Sequence, residues 1–74
     1  MRVINLDETG IKIIAANKKQ MYLSIPEIKE FVNKKYSIKD NVLTVAKKNL
    51  LLTEKDITEL PNIELYVKNN FYKA

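Results

Sequence analysis

Apolar and polar residues follow a distinctive order between positions 50 and 67. Three leucines end at Thr53, an amphipathic segment follows, Pro61-Asn62 interrupts it, and apolar residues then alternate with polar ones up to Val67. Thr53 with Asp56 three residues later matches a helix-capping box, and a proline forces the residue before it out of helical geometry. Alternation with a period of two indicates a strand. The pattern therefore predicts a strand, a short capped helix that ends at Pro61, a turn and a final strand.

The same order occurs earlier, in residues 21–36. Ser24 and Glu27 form the earlier capping box, and Pro26 lies in the first helical turn, where its missing N–H costs nothing. The apolar residues of this segment fall on one helical face: Ile25, Ile28, Phe31, Val32 and Tyr36. We expect a helix of about three turns that ends near residues 35–36.

The remaining segments have the short alternating runs and the turn residues of antiparallel hairpins. In chain order we expect a strand at 3–6, a strand at 11–16, a turn at 17–20, a strand at 21–23, a loop at 37–41, a strand at 42–46, a turn at 47–49 and a strand at 50–52. Gly10 is the one glycine of the chain, and it stands where a hairpin loop needs a positive φ. Ile11 and Ile13 should face inward.

The chain repeats itself at an interval of 29 residues. Lys18-Lys19 corresponds to Lys47-Lys48, and Ser24 corresponds to Thr53. Because short hairpins are not stable alone, the helices must cover one face of the sheet. The fold class that follows is a small two-layer α+β domain, made of a duplicated β-hairpin–helix (ββα-ββα) unit plus a final strand. Within a single domain spanning 1–74, we expect an N-terminal strand and turn at 1–10, a first ββα unit at 11–36, a second at 42–60, a final strand at 63–68 and a tail at 69–74.

Composition argues against catalysis. The 74 residues include no cysteine and no histidine, which removes thiolate chemistry, the commonest general base and the commonest zinc ligand. No glycine-rich phosphate loop is present, and Ser24, a serine at a helix start, is a cap with no base available. The acidic residues have no EF-hand spacing. We expect a protein that is not an enzyme and that has no cofactor, catalytic residue or metal site.

Paired lysines are the first candidates for a binding site. Lys18 and Lys19 and their repeats Lys47 and Lys48 fall at equivalent hairpin tips, which can straddle a phosphate backbone. The alternative is that solvated turns in a lysine-rich chain of net charge +4 simply contain lysine. Because Arg2 is the one arginine, readout of base sequence is not expected.

Aromatic residues are the second candidates. Tyr22 and Tyr66 are predicted on outward strand positions, and Phe71 and Tyr72 lie in the tail. Exposed aromatics can stack on single-stranded bases, but they are also common at protein interfaces. The chain has no RNP-type aromatic motif, so we favour a protein interface at these four residues.

The segment from Leu50 to Val67 resembles an element of small proteins from Mu-like and other tailed phages and prophages. The resemblance covers about a quarter of the chain. It lies in the order of leucines followed by Thr, an acidic residue, Ile, x-Glu-Leu, a short break and a predicted strand. The resemblance implies a small accessory or structural phage protein and carries over no functional residues. The order of hairpin, helix, strand, short helix and strand is also similar to that of β-grasp proteins, although the C-terminal Gly-Gly of ubiquitin-like conjugation is missing.

The sequence predicts a non-catalytic module for protein–protein interaction or assembly, encoded by a phage or prophage, that binds a protein partner or a second copy of itself. The alternative is a small basic protein that binds nucleic acid through its lysine-tipped hairpins. The N-terminus has no apolar signal-peptide core, and no apolar run approaches the roughly 20 residues of a spanning helix. We therefore expect a cytoplasmic location, or one inside a phage particle, and no membrane partner.

Overall fold

The computed structural model describes residues 1–71, apart from the side chain of Asp7. Within that range the chain forms two three-stranded antiparallel sheets and two α-helices, which confirms the α+β class. The elements are β1 (Arg2–Asn5), a 3-10 turn (Asp7–Thr9), β2 (Gly10–Ile14), β3 (Gln20–Ser24), α1 (Ile25–Val32), β4 (Tyr36–Lys39), β5 (Val42–Val45), β6 (Lys48–Leu51) and α2 (Glu54–Asn70). The repeat is therefore three strands and a helix, used twice, where the sequence predicted two strands and a helix.

The first sheet has the order β1-β2-β3 and the expected inward face. Ile11 pairs with Leu23 and Ile13 with Met21, and both isoleucines are fully buried, as predicted. Gly10 begins β2 with φ 144°, and a Cβ added there would collide with the carbonyl oxygen of Leu23. Glycine is thus needed both for the backbone angle and for the close approach of β3.

The second sheet has the order β4-β5-β6. Its two connections, Asp40-Asn41 and Ala46-Lys47, are two-residue turns in which all four φ angles are positive, as type I′ hairpin turns require. The loop predicted at 37–41 is therefore wrong, because most of it is the strand β4. β4 is an edge strand whose residues 37–39 are exposed, so it lacks the apolar alternation that marks a half-buried strand.

Helix α1 begins at its predicted capping box, where the backbone N–H of Ser24 donates to Glu27 Oε1 at 2.8 Å. It ends at Val32, a turn earlier than predicted. Lys34 adopts φ 60°, and its backbone N–H donates to the carbonyl of residue 31 while that of Lys35 donates to the carbonyl of residue 30, as in a Schellman motif. Tyr36 accordingly starts β4 and does not end the helix. The predicted helix face is also wrong at Ile25, which is 50% exposed.

Helix α2 overturns the prediction of a final strand at 63–68. It runs without a break from Glu54 to Asn70 and contains Pro61 in its interior. Leu60 and Val67 are buried at helical spacing, whereas Leu65, which strand alternation would place beside Val67, is 56% exposed. Packing of one helical face on the core has overridden the local preference of proline.

The buried side chains of both sheets and both helices form one apolar cluster. Its members are Ile11, Ile13, Ala15, Met21, Leu23, Ile28, Phe31, Val32, Leu43, Val45, Leu50, Leu52, Leu60 and Val67. Helix α1 packs on β2, β3 and β5, and α2 packs on α1 and β1. Helix α1 therefore packs on strands of both units, and α2 packs mainly on elements of the first unit.

Polar contacts between the two units are reciprocal. Glu27, the capping carboxylate of the first unit, accepts from Lys48 Nζ of the second unit's hairpin at 2.7 Å. Asp56, the corresponding carboxylate of the second unit, accepts from the backbone N–H of Ala16 in the first unit's hairpin, at 3.2 and 3.3 Å. The repeated capping boxes therefore both start the helices and connect the units.

Candidate functional site

The structure does not bring the four predicted lysines together. Lys18 and Lys19 are exposed in the β2–β3 turn, beside Asn17, whose amide donates to the carbonyl of Leu51 at the end of β6. Lys47 is exposed in the turn that precedes β6. The two turns thus lie at opposite ends of β6. A nucleic-acid contact through all four lysines stays a prediction. A nucleic acid that touched both turns would have to run along the length of β6.

Lys48 differs from the other three because its ammonium group is engaged within the protein. Nζ lies 2.7 Å from Glu27 Oε1, 2.7 Å from the carbonyl oxygen of Tyr22 and 4.7 Å from the centre of the Tyr22 ring. The hydrogen bond from Lys48, with that from the Ser24 backbone, holds the pKa of Glu27 below its ordinary value. Lys48 therefore contributes to the junction between the units.

The predicted interface aromatics fall into two places. The Tyr22 hydroxyl donates to the Thr9 carbonyl at 2.6 Å, and its ring lies under Lys48. Tyr66 lies on α2 rather than on a strand; it is 49% exposed and meets Phe71 edge-on with 5.7 Å between ring centres. Tyr72 lies outside the described residues. The interface role of these residues stays a prediction.

A groove lies where the end of α1 meets the second half of α2. Its apolar floor is made by Val32, Pro61 and Leu65, and Lys34 and Lys68 stand at its rim with exposed side chains. The volume is about 270 Å³. A second, more open depression of about 730 Å³ lies over the connection from β1 to β2, and its lining consists of Asn5, Leu6, Glu8 and Thr9. The groove on α2 differs because three apolar residues line it together with charged residues of both signs.

Glu64 lies in the groove and is 7% exposed. Within residues 1–71, its Oε1 is the buried side-chain oxygen that has no hydrogen-bond partner. The carboxylate lies close enough to Tyr36 to affect its hydroxyl: burial raises the pKa of Tyr36, and the charge and hydrogen bonding of Glu64 raise it further. The ion pairs found in the described part of the chain involve Met1 and Lys48, and neither rim lysine is paired with Glu64. The groove thus combines an apolar lining with two exposed cations and one buried carboxylate side chain.

Sequence reasoning missed Glu64, because a strand at 63–68 placed this residue on the solvent side. The signal was present in a helical interpretation of the same residues. Ile57, Leu60, Val67 and Phe71 follow one another at helical spacing, and Glu64 takes the middle position of that stripe. A charged residue inside an apolar stripe is the kind of exception that marks a site.

No family model matches the chain, and no curated protein or solved structure is significantly similar to it. Among residues 1–71, no helix is both long and apolar enough to span a membrane. The same residues contain no cluster of three or more acidic side chains arranged to hold a metal ion.

Proposed function

We propose that this protein is a non-catalytic protein-binding module and that the groove between α1 and α2 docks a linear segment of a partner protein. The observation that carries the proposal is the exposed Leu65, which forms the apolar floor of the groove with Val32 and Pro61. Exposed apolar surface with a polar rim is typical of interaction sites. Tyr66, a half-exposed aromatic beside Leu65 on α2, is a residue type enriched at interfaces.

The base of the groove is anchored on the apolar core. Val32 belongs to the apolar core, and Pro61 follows Leu60, which is also buried in it. The turn after α1 is fixed by the two backbone hydrogen bonds of residues 34 and 35. A preformed groove loses less conformational entropy on binding than a mobile loop does, which favours docking of a flexible segment.

The test is a selection of short random peptides on the immobilised full-length chain, repeated with Leu65→Arg. A charged side chain on the floor should abolish binding of groove-directed peptides. Because Leu65 is exposed, its substitution should change the free energy of unfolding by less than about 0.5 kcal/mol. Leu51→Arg is the matched control, since Leu51 is 49% exposed on β6, outside the groove. If selected peptides bind wild type and both variants equally, or if no peptide is enriched, the docking function is refuted.

Nucleic-acid binding is the second candidate function. One observation favours it: Lys18, Lys19 and Lys47 are exposed, and none has an ion-pair partner among residues 1–71. Charge reversal at these three lysines should weaken binding of a labelled DNA duplex or single strand and flatten its salt dependence, as measured by fluorescence anisotropy. Lys48 should be left in place, because its reversal would disrupt the contact with Glu27. Equal anisotropy curves for wild type and variant would exclude this function.

A further inference from the structure

The α-amino group of Met1 is held between two carboxylates of α2. Its nitrogen lies 3.2 Å from Asp56 Oδ1 and 3.7 Å from Glu59 Oε2. The Met1 side chain also packs against the apolar core. Because both the amino group and the side chain are engaged, the residue that precedes β1 is fixed to the rest of the fold.

The charge of this amino group matters because Asp56 is fully buried. The carboxylate of Asp56 also accepts from Thr53 and from the backbone N–H of Ala16, but these donors are neutral. Within residues 1–71, the Met1 ammonium is the cation that is paired with Asp56. Removing one partner of a buried ion pair leaves the other charge uncompensated, which is strongly destabilising.

Strand β1 depends on this contact because it lies at an edge of its sheet. It has four residues, pairs with β2 along one side and exposes both of its end residues, Arg2 and Asn5. Outside the sheet it packs on α2, the helix that carries both carboxylates. Short segments with few buried side chains open at a low free energy, so a single ion pair at the start of β1 has a large effect on its docking.

We propose that the α-amino group of Met1 is a modification-sensitive lock, in which the free ammonium ties β1 to α2 and N-terminal acylation releases the strand. In the acylation, the unprotonated amine attacks the carbonyl carbon of an acyl thioester. A C–N bond forms, the C–S bond breaks, and the thiol leaves with the proton that the nitrogen gives up. The amide product keeps one N–H but has no charge, so it forms an ion pair with neither carboxylate.

Release of β1 would make β2 the edge of the first sheet and open its backbone groups to pairing with another strand. The lock lies at the start of α2 and uses no residue of the groove. It is therefore independent of the docking function.

The test compares three synthetic forms of the full-length chain that differ only at the α-nitrogen: the free amine, the acetyl form and the dimethyl form. Dimethylation adds similar bulk but keeps the positive charge, so it is the matched control for size. The acetyl form should melt about 10 °C below the free amine, and the dimethyl form within about 3 °C of it. In amide hydrogen exchange, acetylation should accelerate β1 about ten-fold more than α1.

Two further forms separate the lock from effects of net charge and of general stability. Acetylation of the Lys19 side chain removes the same charge at an exposed turn, and its melting temperature should stay within about 3 °C of wild type. Glu59→Gln weakens the same contact in a chain whose amine is free. Because Glu59 is 34% exposed, this variant should fold, and its β1 amides should exchange about two-fold faster.

Each outcome bears on the lock. A melting temperature that is unchanged by N-terminal acetylation would overturn it, as would equal losses in the acetyl and dimethyl forms. Equal acceleration of exchange in β1 and α1 would show a general loss of stability without release of the strand, and would also overturn it. If the acetyl form does not fold, unchanged exchange of β1 in Glu59→Gln overturns the lock, and faster exchange confined to β1 supports it.

Discussion

Asp56 provides the most demanding test of how the fold is held together. Its side chain is fully buried and accepts from several donors. The backbone N–H and the hydroxyl of Thr53 lie 3.0 Å from Oδ2, the Ala16 N–H lies 3.2 Å away, and the Met1 ammonium lies 3.2 Å from Oδ1. We predict that Asp56→Asn, a substitution of nearly equal shape, destabilises the protein severely.

The magnitude follows from the donors. Asparagine keeps one oxygen and replaces the other with an NH₂ group, which would face N–H or O–H donors whichever way the amide is turned. At least one buried donor is then left unpaired at a cost of about 1–3 kcal/mol, and the ion pair with the Met1 ammonium is lost as well. We expect a loss of about 3 kcal/mol, compared with a total stability of about 4–11 kcal/mol for a chain of this length.

The pH dependence has a definite sign. Burial raises the pKa of Asp56, but the hydrogen bonds from Thr53, Ala16 and the N-terminus outweigh it, so the folded-state pKa lies below the ordinary value of 3.8. A depressed pKa stabilises the fold above about pH 4, and the contribution is lost as the pH falls through the folded-state pKa. The stability difference between wild type and Asp56→Asn should therefore shrink in acid.

The measurement is urea unfolding followed by circular dichroism, at neutral pH and at a series of acidic values. Glu54→Gln is the control, because Glu54 is exposed in the first turn of the same helix and its substitution makes the same change in charge. Loss of its helix-dipole interaction should cost about 0.3–1 kcal/mol. An Asp56→Asn variant that loses no more stability than Glu54→Gln, or whose loss stays constant as the pH falls, would contradict this role of the buried carboxylate.

Three further predictions concern backbone and ring positions. Gly10→Ala should cost about 3 kcal/mol or more in urea unfolding, because φ 144° strains alanine and its Cβ meets the Leu23 carbonyl; a loss below 1 kcal/mol would contradict the close approach. Lys47→Gly should raise the melting temperature, with a gain of about 0.5–1 kcal/mol, because φ 71° in the type I′ turn favours glycine; Lys39→Gly, on β4, should lower it. The pKa of Tyr36 is raised by burial and by Glu64, so its contribution to stability is complete below about pH 10 and is lost as the pH rises through the folded-state pKa. In an ultraviolet titration, Tyr36→Phe should remove the tyrosine that ionises at the highest pH. An unchanged titration curve would contradict the raised pKa of Tyr36.

Local chemistry was sufficient to predict the helix starts and most of the strands. The capping pairs at Ser24 and Thr53 are short-range signals, and both helices begin where those signals place them. Ile11 and Ile13 could be assigned inward because alternation within one strand determines which face is buried. These features need no knowledge of the rest of the chain.

The errors came from features that depend on distant contacts. Pro61 is a strong local stop signal, yet the helix continues past it and places Val67 in the common core. β4 was missed because its pairing with β5, not its own composition, makes it a strand. The resemblance to phage proteins depended in part on a break and a strand at 61–67. The structure keeps only the capped helix start of that pattern, and the resemblance stays a prediction. Glu64 was missed because residues 63–68 were predicted as a strand, which placed its side chain in solvent.

The place where the repeat ends explains why a groove exists at all. Val32 and Pro61 are equivalent positions, 29 residues apart, but α1 stops at Val32 while α2 continues to Asn70. The repeated carboxylates Glu27 and Asp56 are used in capping the helices and joining the units. Glu64 and the exposed Leu65 belong to the extension of α2, which has no counterpart in α1. The repeated capping boxes hold the two units together. A binding site is therefore best sought in the part of α2 after Pro61, which only one unit has. The buried oxygen of Glu64 without a hydrogen bond lies in that part.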